Sequence, residues 1–295
     1  MDTEALRTFV TIARAGGFSG AGERLGRSQP AISRRIALLE DELRMPVFER
    51  LPGGVVLSQA GAALLPHAER VLAALEDASA AMAALQAGNG GPVSVAVVGT
   101  LAGADLTRAL KAFAVRYPKV ALTLRTATSL QVSDLVRRGE ATFGLRYFED
   151  PSPELENRAC APEALVVVCA LDHALAGRRV ASLRDLRDEP WLGFPPPERR
   201  DERWLGMLLA QFLTRGVADI RFTAVDSLTG QKRLVEAGFG LALMPVSAVA
   251  EERAAASLAA ITVADLAVSN PVSLITRRGG YVSPAAQALM EAFAA

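Results

Sequence analysis

The sequence predicts an α/β protein in three parts: a helix-rich N-terminal winged helix-turn-helix, a long linker helix and a two-lobed α/β unit. Three observations carry this reading. In SQPAISRRIALLEDEL, residues 28–43, Ile32, Ile36, Leu39 and Leu43 stand four, three and four apart, the spacing of one helix face. An apolar heptad stripe farther on ends at a flexible break, Gly88-Asn89-Gly90-Gly91-Pro92. Beyond that break strands alternate with helices, the grammar of largely parallel sheets.

The helix over 28–43 begins at Ser28, a natural N-cap residue, with Pro30 in its first turn, where no backbone donor is missed. Opposite the apolar face lie Pro30, Ser33, Arg34 and Ala37, a small, polar and cationic surface able to approach a DNA groove closely. Gln29, Ser33 and Arg34 are suited to base edges, and Arg27 to a phosphate. Residues 18–25 read as a shorter helix, and Gly26-Arg27 as the tight turn between the two. Arg24, Arg27, Arg34 and Arg35 fall in a stretch without an acid, although Lys+Arg and Asp+Glu balance at 32 each over the chain. Nucleic-acid contact is therefore local. Residues 46–50 and 55–57 flank Pro52-Gly53-Gly54 as a two-stranded wing, with Phe48 as its core anchor and Arg50 reaching a phosphate from its base.

Ser58 caps a helix predicted through Gln86, on which Leu64, Ala68, Val71, Leu75, Ala78, Met82 and Leu85 form a heptad seam suited to a second copy of the chain. Pro66 is expected to kink this helix or mark its effective start. Strands follow at 93–98, 120–126 and 142–147, with helices at 105–117 and 132–138. A second unit holds strands at 165–171, 191–194, 220–225 and 241–244, and helices at 202–215 and 229–237. The strand at 272–276 and the helix after Ser283 return to the first unit. The expected parts are 1–58, 59–88 and 89–295, with lobe one at about 92–161 and 268–295 and lobe two at about 162–267.

The N-terminal residues resemble the winged helix-turn-helix of LysR-type transcriptional regulators. The resemblance rests on Leu6, Phe9, Ala21, Leu25, Ser28-Gln29-Pro30-Ala31, Ser33, Ile36, Leu39-Glu40, Leu43, Pro46, Phe48, Arg50, Leu57-Ser58 and Ala60-Gly61 in one register. Gly22 departs from the family's usual Ala, and Arg44 from its usual Gly, which counts against a left-handed cap there. At lower specificity the likeness extends to the C-terminus. It implies a sequence-specific regulator with a periplasmic-binding-protein type II-like effector domain. The partners it implies are double-stranded promoter DNA, a small-molecule effector, a second copy of the chain as homodimer and then homotetramer, and RNA polymerase.

In two-lobed α/β domains a ligand lies at the carboxyl ends of strands and the helix starts that follow them. Those positions are Thr100, Thr128, Ser129 and Arg146 in lobe one, and Phe194, Asp226 and Ser227 in lobe two. The resemblance points to Thr100 and Ser129 as well. Hydroxyls, helix N-termini and one arginine favour a small anion, a carboxylate gripped by Arg146. The structural alternative is that Thr128 and Ser129 only cap a helix and that Arg146 pairs with Glu149.

Enzyme chemistry finds no nucleophile elbow, phosphate loop or dinucleotide fingerprint. His67 and His173 lack companions at metal-ligand spacing, so neither a metal nor a cofactor is expected. No apolar run reaches the length of a membrane span, and MDTEALRTF lacks a signal-peptide core. With only Cys160 and Cys169, the chain belongs in the reducing cytoplasm. Two alternatives stay open: a cytoplasmic small-molecule receptor whose N-terminal helices serve a protein partner, and a redox-sensing regulator using those cysteines.

Overall fold

The computed structural model describes residues 1–51, 54–86, 91–195 and 206–293, with backbone alone at 50, 206, 207 and 209. Helix α1 (Thr3–Ala15) starts at Asp2, whose carboxylate accepts from Ala5 N at 2.6 Å, and ends on Gly16 at φ 68°. Helices α2 (Phe18–Leu25) and α3 (Gln29–Leu43) follow. Gly22 suits its place: an added Cβ would lie 2.8 Å from Arg27 O, so the turn between α2 and α3 would have to shift to admit a larger residue. Arg44 takes the left-handed conformation at φ 54° and closes α3, contrary to the sequence expectation. Its amide reaches Asp41 O at 3.3 Å and that of Met45 reaches Glu40 O at 3.2 Å, bonds that hold the turn without glycine.

The wing is β1 (Phe48–Leu51) antiparallel to β2 (Gly54–Leu57). Phe48 packs between Phe9 and Phe18, with ring centroids at 5.3 and 5.9 Å. Glu40 Oε1 accepts from Val47 N at 2.8 Å and Phe48 N at 3.3 Å, tying α3 to the wing. Helix α4 (Gln59–Gln86) runs through Pro66 unbroken, so the proline neither starts nor stops it. Ser58 caps it, accepting from Gly61 N at 3.0 Å while donating to Pro46 O at 2.5 Å. At Gly61 an added Cβ would sit 2.0 Å from Val47 O, so the helix start and the wing are in backbone contact.

The heptad seam on α4 divides. Ala68 is buried on the winged core with Leu64 against it, whereas Val71, Leu75, Met82 and Leu85 are exposed. A different face, with Ala73 and Ala84 buried, lies toward the C-terminal unit. Charge pairs join all three parts: Arg14 of α1 contacts Glu69 at 3.1 Å and Glu140 at 2.8 Å, Arg138 contacts Glu69 at 3.2 Å, and Arg277 contacts Asp77 at 2.5 Å.

Lobe one contains β3 (Val93–Val98), α5 (Ala104–Arg116), β4 (Leu122–Ala127), α6 (Ser129–Arg137) and β5 (Phe143–Tyr147). Strand β3 pairs parallel with both β4 and β5. The long strand β6 (Leu155–Cys169) then crosses to lobe two, which holds β7 (Arg179–Val180), β8 (Pro190–Gly193), α7 (Gly206–Leu213), β9 (Arg221–Ala224), α8 (Leu228–Glu236) and β10 (Leu241–Pro245). Helix α9 (Ala250–Ala254) and β11 (Ala259–Val263) precede β12 (Ser269–Arg277), which crosses back to lobe one and is followed by α10 (Pro284–Glu291).

The first half of β6 pairs antiparallel with β12, and its second half with β10 and β11. These crossings extend the expected strands. The expected strand at 165–171 begins ten residues earlier, at Leu155, and β7, α9 and β11 are additional. Of the helix expected over 202–215, residues 202–205 lie outside the described residues, 206–213 form α7, and Thr214 and Arg215 belong to the turn after it. Separate apolar cores form in the lobes, one around Val95, Phe143 and Leu274, the other around Val167, Trp191 and Leu241.

Candidate DNA-binding face and interlobe site

The apolar rule that builds α3 also frees its other face. Ile32, Ile36 and Leu39 are buried, and Arg27, Ser28, Gln29, Pro30, Ala31, Arg34 and Ala37 are exposed, with Ser33 half-buried. The Ser28 side chain makes no cap bond and the first turn of α3 holds no acid, so the positive end of the helix faces outward uncompensated. Arg24, Arg27 and Arg34 have no carboxylate within ion-pair distance among the described residues. Arg35 differs, pairing with Glu4 at 3.2 Å, so the cationic surface rests on three arginines, not four. The backbone of Arg50 pairs with Val55 in the wing, but its side chain, expected on a phosphate, lies outside the described residues.

Between the lobes the structure builds a hydrogen-bonded chain that sequence reasoning found only in part. Thr100 follows β3 and is buried; its Oγ1 lies 2.9 Å from Tyr147 Oη at the end of β5. Tyr147 gives its one proton to Glu163 Oε2 at 2.5 Å, so Thr100 is the donor to Tyr147. Ser247, just past β10 of lobe two, donates to Glu163 Oε1. Glu163 itself lies on β6 where that strand passes between lobes. Burial raises its carboxyl pKa, the hydroxyls of Ser247 and Tyr147 oppose that, and Asp105 adds to it. Burial and the adjoining carboxylate likewise push the Tyr147 phenol well up.

The other expected cleft residues are placed differently. Thr128 and Gln131 form a capping box, with Gln131 N to Thr128 Oγ1 at 3.3 Å and Thr128 N to Gln131 Oε1 at 3.0 Å. Helix α6 therefore begins at Ser129, which is buried, and not at Val132. Ser227 caps α8 through Gly230 N at 3.2 Å, and Asp226 beside it is exposed. Phe194 is 37% exposed at the end of β8. Arg146 is not the open anion grip expected of it. It is engaged by Asp150, by Ser133 Oγ at 2.7 Å and by Tyr147 O at 3.2 Å, because alternation along β5 turns it toward α6. Its acid is Asp150 rather than Glu149.

Glu163, Tyr147 and Ser247 escaped the sequence reading. Glu163 sits in a stretch without apolar periodicity, and Tyr147 read only as the last residue of a strand. The cysteines do not form a redox pair. Cys160 and Cys169 lie nine residues apart on one strand, about 30 Å of extended chain, where a disulfide needs Cα atoms within about 7 Å. Burial pushes both thiols up, Cys169 to about 11, away from thiolate reactivity.

A winged helix-turn-helix joined by one helix to a two-lobed α/β unit defines a ligand-responsive DNA-binding regulator. The family models agree: the bacterial regulatory helix-turn-helix protein, lysR family, matches residues 3–62, and the LysR substrate binding domain matches residues 86–295. The chain belongs to the LysR family of DNA-binding transcriptional regulators. It is 31% identical over 287 residues to the HTH-type transcriptional regulator CbbR of Rhodospirillum rubrum, covering 97% of this chain and 93% of that one. Among solved structures, CbnR, a LysR family transcriptional regulator, is 26% identical with a TM-score of 0.67, covering 99% of this chain and 98% of that one. Full-length CbnR complexed with its target DNA aligns at 25% identity and a TM-score of 0.64, covering 99% of each chain. The receptor alternative, in which the N-terminal helices serve only a protein partner, gives way to this assignment.

Proposed function

We propose that α3 enters the major groove of an operator, with Gln29, Ser33 and Arg34 at base edges, Ser28 and Pro30 packed close to the groove, and Arg27 and Arg50 on phosphates. The observation that carries this is the exposed face formed by α3 and the turn before it: Arg24 at the end of α2, Arg27 in the turn and Arg34 on α3, all without an ion pair among the described residues, beside an uncapped helix start above a sealed apolar core. In this reading 1–58 binds DNA, 59–88 links and dimerises, and 89–295 holds a small-molecule effector between its lobes near Thr100, Ser129 and Ser247. The protein acts in the cytoplasm, signals to RNA polymerase and carries out no catalysis. No helix among the described residues is long and apolar enough to cross a membrane.

One winged helix reads one half-site, and a two-fold axis doubles the contact. The second copy packs on Val71, Leu75, Met82 and Leu85, large apolar side chains that stand 43, 39, 56 and 67% exposed along one heptad seam of α4. Pairing of the dimers into a tetramer is part of the same reading. The experiment is light scattering of the full chain at micromolar concentration. Leu75→Glu with Met82→Glu is expected to halve the mass and abolish tight operator binding, and a monomeric wild type would contradict the reading.

A further inference from the structure

Where the two long strands cross between the lobes, Asn270 of β12 is the cross-strand partner of Glu163 of β6. Directly opposed residues of an antiparallel ladder project from the same face with Cβ atoms about 5 Å apart. The Asn270 amide therefore stands beside the carboxylate that Tyr147 and Ser247 hold between the lobes. Asn270 is 0% exposed, yet neither its Oδ1 nor its Nδ2 has a hydrogen-bond partner among the described residues. Buried amides in folded proteins are nearly always bonded, because an unbonded one has given up water for nothing. The register shifts just past this pair, between Asn270 and Val272, so the ladder is irregular immediately beside the amide at the junction of the lobes.

The charges nearby are one-sided. Asp105 acts on Glu163 from α5, and Arg146 is committed to Asp150. The anion preference read from the sequence depended on an open Arg146. An amide edge with one donor and one acceptor, beside an accepting carboxylate, calls for different chemistry.

We propose that the interlobe site takes a small molecule presenting a primary carboxamide, not a carboxylate, to Asn270 and Glu163. The ligand carbonyl accepts from Asn270 Nδ2, one of its N–H groups meets Asn270 Oδ1, and the other meets Glu163 in place of the Ser247 hydroxyl. That exchange releases a bond between the lobes, which couples occupancy to how they sit. The inference rests on the effector reading of the cleft.

Asn270→Leu keeps the branched four-atom side-chain skeleton and removes both unpaired polar atoms, so the free full-length chain is expected to melt at a higher temperature than wild type. Ligand-observed NMR with matched fragments, nicotinamide against nicotinate and glutamine against glutamate, is expected to show the amide of a pair binding and its acid at least about tenfold weaker. Asn270→Leu is expected to weaken that amide about tenfold. A lower melting temperature for Asn270→Leu, acids that bind as well as amides, or no amide binding would overturn the proposal. Binding lost with Thr100→Val but untouched by Asn270→Leu would keep the cleft and overturn only the carboxamide. Binding untouched by both would overturn the interlobe reading itself.

Discussion

On α3 the side chains proposed to meet DNA stand exposed over a core of Ile32, Ile36 and Leu39, whereas between the lobes Thr100, Tyr147, Glu163 and Ser247 are bonded to one another. The contrast follows from the partner. A duplex approaches from outside and brings its own charge, so its contacts can wait in water, held in place by a scaffold behind them. A small ligand enters a space that the protein must otherwise fill, so the polar groups there satisfy each other until something replaces them. The first kind of site depends on the rigidity of what lies beneath it, the second on how easily its internal bonds are exchanged.

That difference can be broken from the scaffold side. Gly61 lets the start of α4 lie on the wing, and an alanine Cβ there would approach Val47 O to 2.0 Å. Gly61→Ala is expected to destabilise the winged unit by about 3 kcal/mol, the upper range for overpacking, since backbone rather than a side chain must move. Calorimetry of the full chain should then show an early transition for the winged part while the transition of the lobes is retained. An unchanged melting profile would contradict the rigid coupling of wing and helix.

A somewhat smaller effect sharpens the other side. Asp150 is buried, which alone would raise its carboxyl pKa, but hydrogen bonds from Ser133 and Ser152, together with Arg146, bring it down to about 2 from 3.8. A depressed folded-state value means stability that is present above about pH 4 and is lost as pH falls toward 2. The contribution is about 2 kcal/mol from a shift of nearly two units. Asp150→Asn should flatten the acid limb of unfolding between pH 4 and 2, read by circular dichroism. Identical acid profiles for the two proteins would show that Arg146 is not held as the structure has it.

The winged unit was largely legible because its chemistry is periodic. The step pattern of α3 fixed its buried face, and everything opposite that face became a candidate contact. Pro52-Gly53-Gly54 marked the turn of the wing in the same way, and Ser58 the start of α4. The lobes were legible as strands and helices where apolar runs mark them, as at Val93–Val98. Strand β6 was legible only in its second half. Its first ten residues, LENRACAPEA, carry no alternation, since that part forms by pairing with β12 and not by burying one face. Glu163 lies in that stretch. Arg146 was misplaced for a related reason: its strand position was right, but which acid it meets depends on Asp150 folding back four residues later. Contacts set by tertiary approach leave no local mark.

The most direct measurement takes the full-length chain, enriches bound duplexes from a random pool, and compares Arg34→Ala with wild type by fluorescence anisotropy at several salt concentrations. The predicted site for the wild type is an inverted repeat whose half-sites lie about one helical turn, or a multiple of it, apart. Arg34→Ala is expected to lose about 1–3 kcal/mol on that site and to relax selection at one base position in each half-site, while Arg27→Ala weakens all sequences alike and lowers the salt slope by about one. Wild-type affinity and an unchanged consensus for Arg34→Ala would contradict α3 as the reading helix.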